Sequence, residues 1–295
     1  MAKQNKPAEI TANDRRTGSD SAELAGARTD SARALEAREI SARYDASTPF
    51  AVDSVSFELA RGEMVAVLGP NGAGKTTLIR ALAGVQKLDA GEVRVFDRPI
   101  AEMTRPTIAR TIAVVRQSEQ IASGFSVREV VMMGRAPHQA GWMRPTQDDE
   151  EIVADAIARM DLSALADRPA RELSGGEARR VAIARAFAQR PKILLLDEPG
   201  AFLDVKHQLA LYDRLMEEIA KNRLACLVVM HDLNMAAQYA DRVLILRDGK
   251  RVACGSPTEV MTEARMLDVF GARLRAGFDT KSNAPYFLPV RSDKN

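Results

Sequence analysis

The stretch that most limits what this chain can become is "EMVAVLGPNGAGKTTLIRALAG", residues 63–84. Met64 to Leu68 is an unbroken apolar run, the pattern of a strand buried on both faces. The run stops at Gly69 and enters G-x-x-x-x-G-K-[ST]. A helical pattern then continues to Gly84, a helix-ending glycine. Gly69, Gly72 and Gly74, with Pro70, Asn71 and Ala73 between them, let backbone N–H groups wrap closely around phosphate oxygens. Lys75 is placed to reach the β- and γ-phosphates and is expected to stand exposed. Thr76 can hold Mg²⁺, Thr77 completes the site, and the helix N-terminus adds partial positive charge. An ordinary glycine turn would need neither the strand before nor the helix after, so the stretch reads as a nucleotide site.

A companion follows at "ILLLDE", residues 193–198. Four apolar residues bury a central strand, and Asp197 emerges at its carboxyl end, where open α/β sheets bind ligands. Asp197 can hold Mg²⁺ through water. Glu198 is placed to orient or deprotonate a water that attacks the γ-phosphate. Between the two motifs lies "LSGGEARR", residues 173–180. Ser174 and Glu177 have the spacing of a capping box. Gly175 and Gly176 sit where a helix begins, and each costs a helix about 0.5–1 kcal/mol relative to Ala. Something other than helix stability asks for bare backbone there, and the chain thus has two glycine-rich helix openings.

The rest of the chain sets the frame. Residues 1–37 are polar and mixed in charge and read as a disordered tail, with a fraying helix at "SARALEARE". "EISARY" and "VDSVSFEL" alternate as antiparallel strands, and "GEVRVFD" and "TIAVVRQ" add further strands. Residues 126 to about 190 read as mostly helical. Then "KILLLDE", a helix over 205–221, "LACLVVM", a helix over 232–240 and "RVLILRDGKRVA" alternate, the last with an Asp248-Gly249 hairpin turn. The fold class is therefore α/β with a largely parallel sheet, and the helical block at about 118–172 is an inserted subdomain. With 295 residues and 46% hydrophobic content the chain can bury a real core. Its 42 basic and 40 acidic residues balance, which gives no argument for a nucleic-acid partner. Cys226 and Cys254 are not spaced as a metal or redox pair and read as reduced thiols. No apolar run approaches the length that spans a bilayer and no signal-peptide core stands at the N-terminus, so a membrane role is expected to come through a partner.

The three motifs, in this order, resemble those of ATP-binding-cassette (ABC) ATPases. The resemblance implies a P-loop NTPase fold with an antiparallel β subdomain and an inserted helical subdomain, over 38–270, followed by a short extension at 271–295. It implies ATP and Mg²⁺ as ligands and a homodimer packed head to tail, in which Ser174, Gly175, Gly176 and Glu177 cover the γ-phosphate held by the partner's loop. Gln117, at the end of "IAVVRQ", matches the glutamine that contacts Mg²⁺ and links core to helical block. His231 matches the histidine that senses the γ-phosphate. Asp204, in "EPGAFLD", matches the aspartate that bridges the two cassettes. Tyr44, ahead of the first core strands, is placed to stack on adenine. Arg116 stands where many members have proline, and Gly200 and Phe202 depart from the commoner Thr and small residue.

"VVMMGRAPH", "FLDVKHQLALYDRL", "HDLNMAAQYADRVLILRDGKRVACGSPTEVM" and "APYFLPVR" are similar to the ATPase subunits of importers for iron–siderophore, haem and cobalamin. That likeness implies a peripheral subunit on the cytoplasmic face of the membrane. It would bind integral-membrane permease subunits, with a periplasmic or surface binding protein delivering a metal chelate. The segment after Phe270 is short for the regulatory domains of sugar-importer ATPases. Two rivals stand: a soluble cassette protein acting on ribosomes or DNA, and a small-molecule phosphotransferase. The single cassette without a long heptad run counts against the first, and "LSGGE" followed by "ILLLDE" and His231 counts against the second.

Overall fold

The computed structural model describes residues 33–45, 47–117, 124–139, 145–201 and 203–290. In chain order the elements are β1 (Arg33–Ala42), β2 (Val52–Ala60), β3 (Met64–Leu68), α1 (Lys75–Leu82), β4 (Ala90–Val95), β5 (Arg98–Pro99), α2 (Arg105–Thr111), β6 (Ile112–Val115), α3 (Val127–Met132), α4 (Gln147–Arg159), α5 (Gly175–Ala188), β7 (Ile193–Asp197), α6 (Val205–Asn222), β8 (Ala225–Val229), α7 (Leu233–Tyr239), β9 (Arg242–Arg247), β10 (Lys250–Gly255), α8 (Pro257–Val260), α9 (Glu263–Phe270), β11 (Leu274–Asp279) and β12 (Ala284–Pro289).

The six-stranded sheet has the order β10-β9-β3-β8-β7-β6, parallel from β9 to β6 with β10 antiparallel at one edge. Every residue of β3, β7 and β8 is buried, which is why these strands read as continuous apolar runs. Alternate side chains serve two different cores. Met64, Ala66 and Leu68 pack with α3, α4 and α5, while Val65 and Val67 pack with α1 and the second sheet. That second sheet is four-stranded and antiparallel, in the order β2-β1-β4-β5.

The tail does not reach residue 37, and "SARALEARE" is not a helix over its described part. Arg33 opens β1, which pairs with both β2 and β4, and Ala34, Leu35 and Ala37 are buried. Ala, Leu, Glu and Arg are good helix formers, but propensity is a weak prior that strand pairing overrides. A register shift between Ala37 and Ile40, with Glu39 at φ 46, breaks the two-residue alternation that would have betrayed the strand. Residues 1–32 lie outside the described residues. Tyr44 consequently follows the first core strand rather than preceding it.

The segment after Phe270 is a hairpin, β11 with β12, docked on α7. Asn234 fastens it: its side-chain amide accepts from Phe287 N at 2.7 Å and donates to Phe287 O at 3.3 Å, as a neighbouring strand would. The β9–β10 turn is at Asp248-Gly249, both at positive φ, as expected. Cys226 is buried and Cys254 half-buried, both free thiols.

Candidate active site

Four neighbouring strands deliver the site in sheet order. β3 runs into the glycine loop, β8 leads to His231, β7 ends at Asp197 and Glu198, and β6 leads to Gln117. All four ends are carboxyl ends, the ligand-binding edge of an open α/β sheet. They open onto a cleft of about 700 Å³ lined by Asn71 to Thr77, Tyr44, Ala51, Gln117, Glu198 and His231. Ala51 is the wall residue that no motif pointed to.

The loop's conformation is built on glycine. Gly74 has φ 93, and a Cβ there would lie 1.9 Å from Ala51 O. At Gly69 a Cβ would lie 2.3 Å from Leu246 O. Only glycine lets the loop pass so close to its own chain. No side chain caps α1, so its first backbone N–H groups face the cleft. Lys75 is not exposed as expected: it retains 7% of its surface, and Nζ donates to Gly69 O at 2.7 Å and Pro70 O at 2.9 Å. The ammonium is folded back across the loop, and burial lowers its pKa against the opposing pull of Glu198 and Asp197. Phosphate oxygens can replace the two carbonyls as acceptors.

Thr76 Oγ1 donates to Asp197 Oδ2 at 3.0 Å. Asp197 Oδ1 is buried without a hydrogen-bond partner, and burial raises the carboxyl's pKa while the Thr76 bond lowers it. An orphaned carboxylate oxygen beside a hydroxyl is a pair of hard oxygen donors, the chemistry Mg²⁺ prefers. Among the described residues no cluster of three or more acidic, His or Cys side chains forms a metal cage.

Glu198 sits at φ 51 in the left-handed region. Its Oε2 accepts from Gln117 Nε2 at 2.6 Å, and its Oε1 contacts His231 Nε2. Since a carboxylate only accepts, His231 must carry its proton on Nε2. Each carboxylate oxygen keeps a second lone pair, so the fixed carboxylate can still orient a water. Of the three residues predicted as the catalytic group, Gln117 and His231 each contact Glu198. Tyr44 is 61% exposed at the cleft mouth; its hydroxyl accepts from Thr77 Oγ1 at 2.7 Å, and the Arg80 guanidinium lies 5.9 Å from its ring centroid.

The signature residues, Ser174, Gly175, Gly176 and Glu177, do not line this cleft. Ser174 and Glu177 form the capping box: Ser174 Oγ accepts from Glu177 N at 3.3 Å, and Glu177 Oε2 accepts from Ser174 N at 2.8 Å. The Ser174 N–H lowers the Glu177 pKa. Asp204 caps α6 and also meets His207 Nδ1 at 2.7 Å. The His207 N–H holds the Asp204 carboxyl below its ordinary range. Gly200 O accepts from Gln208 Nε2 at 2.8 Å, and Phe202 lies outside the described residues. Arg179, to which the sequence assigned no role, lies beneath the ends of β6 and β7. Its Nε donates to Pro199 O at 3.1 Å.

A phosphate-cradling loop, a carboxylate with a threonine hydroxyl, and a second carboxylate fixed by an amide and an imidazole define a P-loop ATPase. Residues 52–201 match the ABC transporter family. The hemin import ATP-binding protein HmuV of Escherichia coli O157:H7 is 42% identical over 242 residues, 80% of this chain and 92% of that protein. HmuV of Thermobifida fusca is 43% identical over 257 residues, 87% and 89% of the two chains. Among solved structures, a metal-chelate type ABC transporter in an inward-facing conformation aligns with a TM-score of 0.76 at 26% identity, covering 88% of this chain and 98% of that one. The chain belongs to the ABC transporter family and is an ATPase.

Proposed function

We propose that the chain is the ATP-hydrolysing subunit of a haem importer, working as a homodimer beneath integral-membrane permease subunits on the cytoplasmic face. The observation that carries this reading is the 42–43% identity to hemin import ATP-binding proteins over 80% or more of both chains. Among the described residues no helix is long and apolar enough to cross a membrane, so transport requires a partner. A groove of about 340 Å³ on the helical block, lined by Phe125, Met132, Met133 and Pro145 among others, offers an apolar seat for a permease segment. The loop expected to join that seat to Gln117 lies outside the described residues. A periplasmic or surface binding protein delivers the haem.

In this reading Lys75 and the loop amides bind the β- and γ-phosphates, and the adenine stacks on Tyr44. Thr76, Asp197 and Gln117 would hold Mg²⁺, which would neutralise phosphate charge. Glu198 orients the attacking water and accepts its proton, while Gln117 and His231 fix the carboxylate. Ser174 to Glu177 close over the partner's γ-phosphate, and Asp204 bridges the cassettes.

The test is to isolate the permease that co-purifies with the chain and reconstitute both in liposomes with the cognate binding protein. ATP-driven uptake of haem is expected. Uptake of cobalamin or a ferric siderophore without haem would assign another chelate, and failure to recover any polytopic membrane protein would favour the soluble reading.

A further inference from the structure

The β6–β7 ladder ends at the pair Val115–Leu196. Beyond it the two backbones part, yet the side chains they carry next, Gln117 and Glu198, meet at 2.6 Å. Arg179 bridges the parting. It is buried to 8% exposure on α5, and its planar fork reaches four backbone oxygens. Nη1 donates to Arg116 O at 2.5 Å and Gln117 O at 3.5 Å, Nη2 to Asp197 O at 2.5 Å, and Nε to Pro199 O at 3.1 Å. Arg116 and Asp197 are the residues directly after the last ladder pair, so the guanidinium continues the pairing where the strands no longer can.

We propose that Arg179 is a positioning residue for hydrolysis, setting Glu198 against Gln117. Glu198 occupies a left-handed backbone conformation at φ 51, which is strained for a non-glycine residue and persists only where its surroundings over-determine it. The residues on either side of it, Asp197 and Pro199, both have their carbonyls held by Arg179. The same fork holds the carbonyls of Arg116 and Gln117 across the gap. One side chain therefore fixes both the twist at Glu198 and the distance to its amide partner. Lysine cannot replace it, because one ammonium cannot present a flat fork to carbonyls on two strands. Arg179 rides on the helix that Ser174 opens, so a shift of that helix reaches Glu198 through one residue.

Arg179→Ala and Arg179→Lys in the full chain test this. The expected kcat falls about 100-fold, the size of effect that a 1 Å misplacement produces, with KM for ATP little changed. Guanidinium chloride at low millimolar concentration should raise the kcat of Arg179→Ala, and urea or NaCl should not. A role confined to fold stability would lower the thermal midpoint and show no such rescue. If Arg179→Ala does not fold, Arg179→Lys, which keeps a buried cation, decides. A folded variant with kcat within about threefold of wild type, or a loss confined to KM, overturns the proposal.

Discussion

The chain opens two helices on glycine, and the two openings differ in who requires the glycines. At the phosphate loop the chain's own backbone does: a Cβ on Gly69 or Gly74 would strike Leu246 O or Ala51 O at 2.3 and 1.9 Å. At the signature, nothing comes within 4 Å of a Cβ on Gly175, and on Gly176 it would meet only the end of the Leu203 side chain at 2.9 Å. Neither signature glycine has a positive φ. The first helix lacks a side-chain cap and presents its amides to the cleft, whereas the second is fully capped by its own Ser174 and Glu177. Glycines that the fold needs shape the phosphate loop itself. Glycines that the fold does not need are left open to an approaching surface, and the proposed head-to-tail dimer would supply one.

The comparison can be broken most forcefully at Glu198, which belongs wholly to the first site. Glu198→Gln should lower turnover about 10²–10⁴-fold while ATP binding survives on Lys75, Thr76 and the loop amides. Gel filtration with ATP and Mg²⁺ should then show an ATP-holding dimer, and near-wild-type hydrolysis would move the base elsewhere, with His231 the next candidate. Gly74→Ala should destabilise the fold by at least about 2 kcal/mol, since it adds a backbone clash to left-handed strain. A thermal midpoint equal to wild type would show that the loop can relax.

Gly175→Ala is the sharper contrast. It should leave the isolated chain as stable as wild type or up to about 1 kcal/mol more so, by restoring helix propensity. Turnover should nevertheless fall about tenfold or more through lost approach to the partner's phosphate. Full activity with raised stability would show that the second opening serves nothing. The smallest effect is expected from mixing chains. A dimer of Lys75→Ala with Ser174→Arg has one composite site bearing both lesions and one intact, so it should hold one occluded ATP. Neither homodimer should hold any. No occluded ATP in the mixed dimer would mean that each chain serves its own nucleotide.

Much of this fold is legible in the sequence alone. The parallel sheet announced itself because β3, β7 and β8 are buried on both faces and so are written in unbroken apolar residues. The phosphate loop, Asp197 and Glu198 were legible because each follows such a strand directly. The first strand was not, since "RALEARE" is written in helix formers and its bulge hides the alternation. The burial of Lys75 was not legible either, because its partners are two backbone carbonyls that any residue at 69 and 70 would supply.

By itself the sequence determined which groups the cleft contains, since loop, carboxylates, amide and imidazole each sit at the end of a recognisable strand. Only the tertiary structure decided how they meet. Gln117, Asp197–Glu198 and His231 come from three strands far apart in the chain, and sheet order alone makes them neighbours. The brace beneath them is a helix arginine that donates to four main-chain oxygens. Main-chain oxygens carry no residue identity, so no side-chain pattern records the contact, and it exists only once α5 has packed under the ends of β6 and β7.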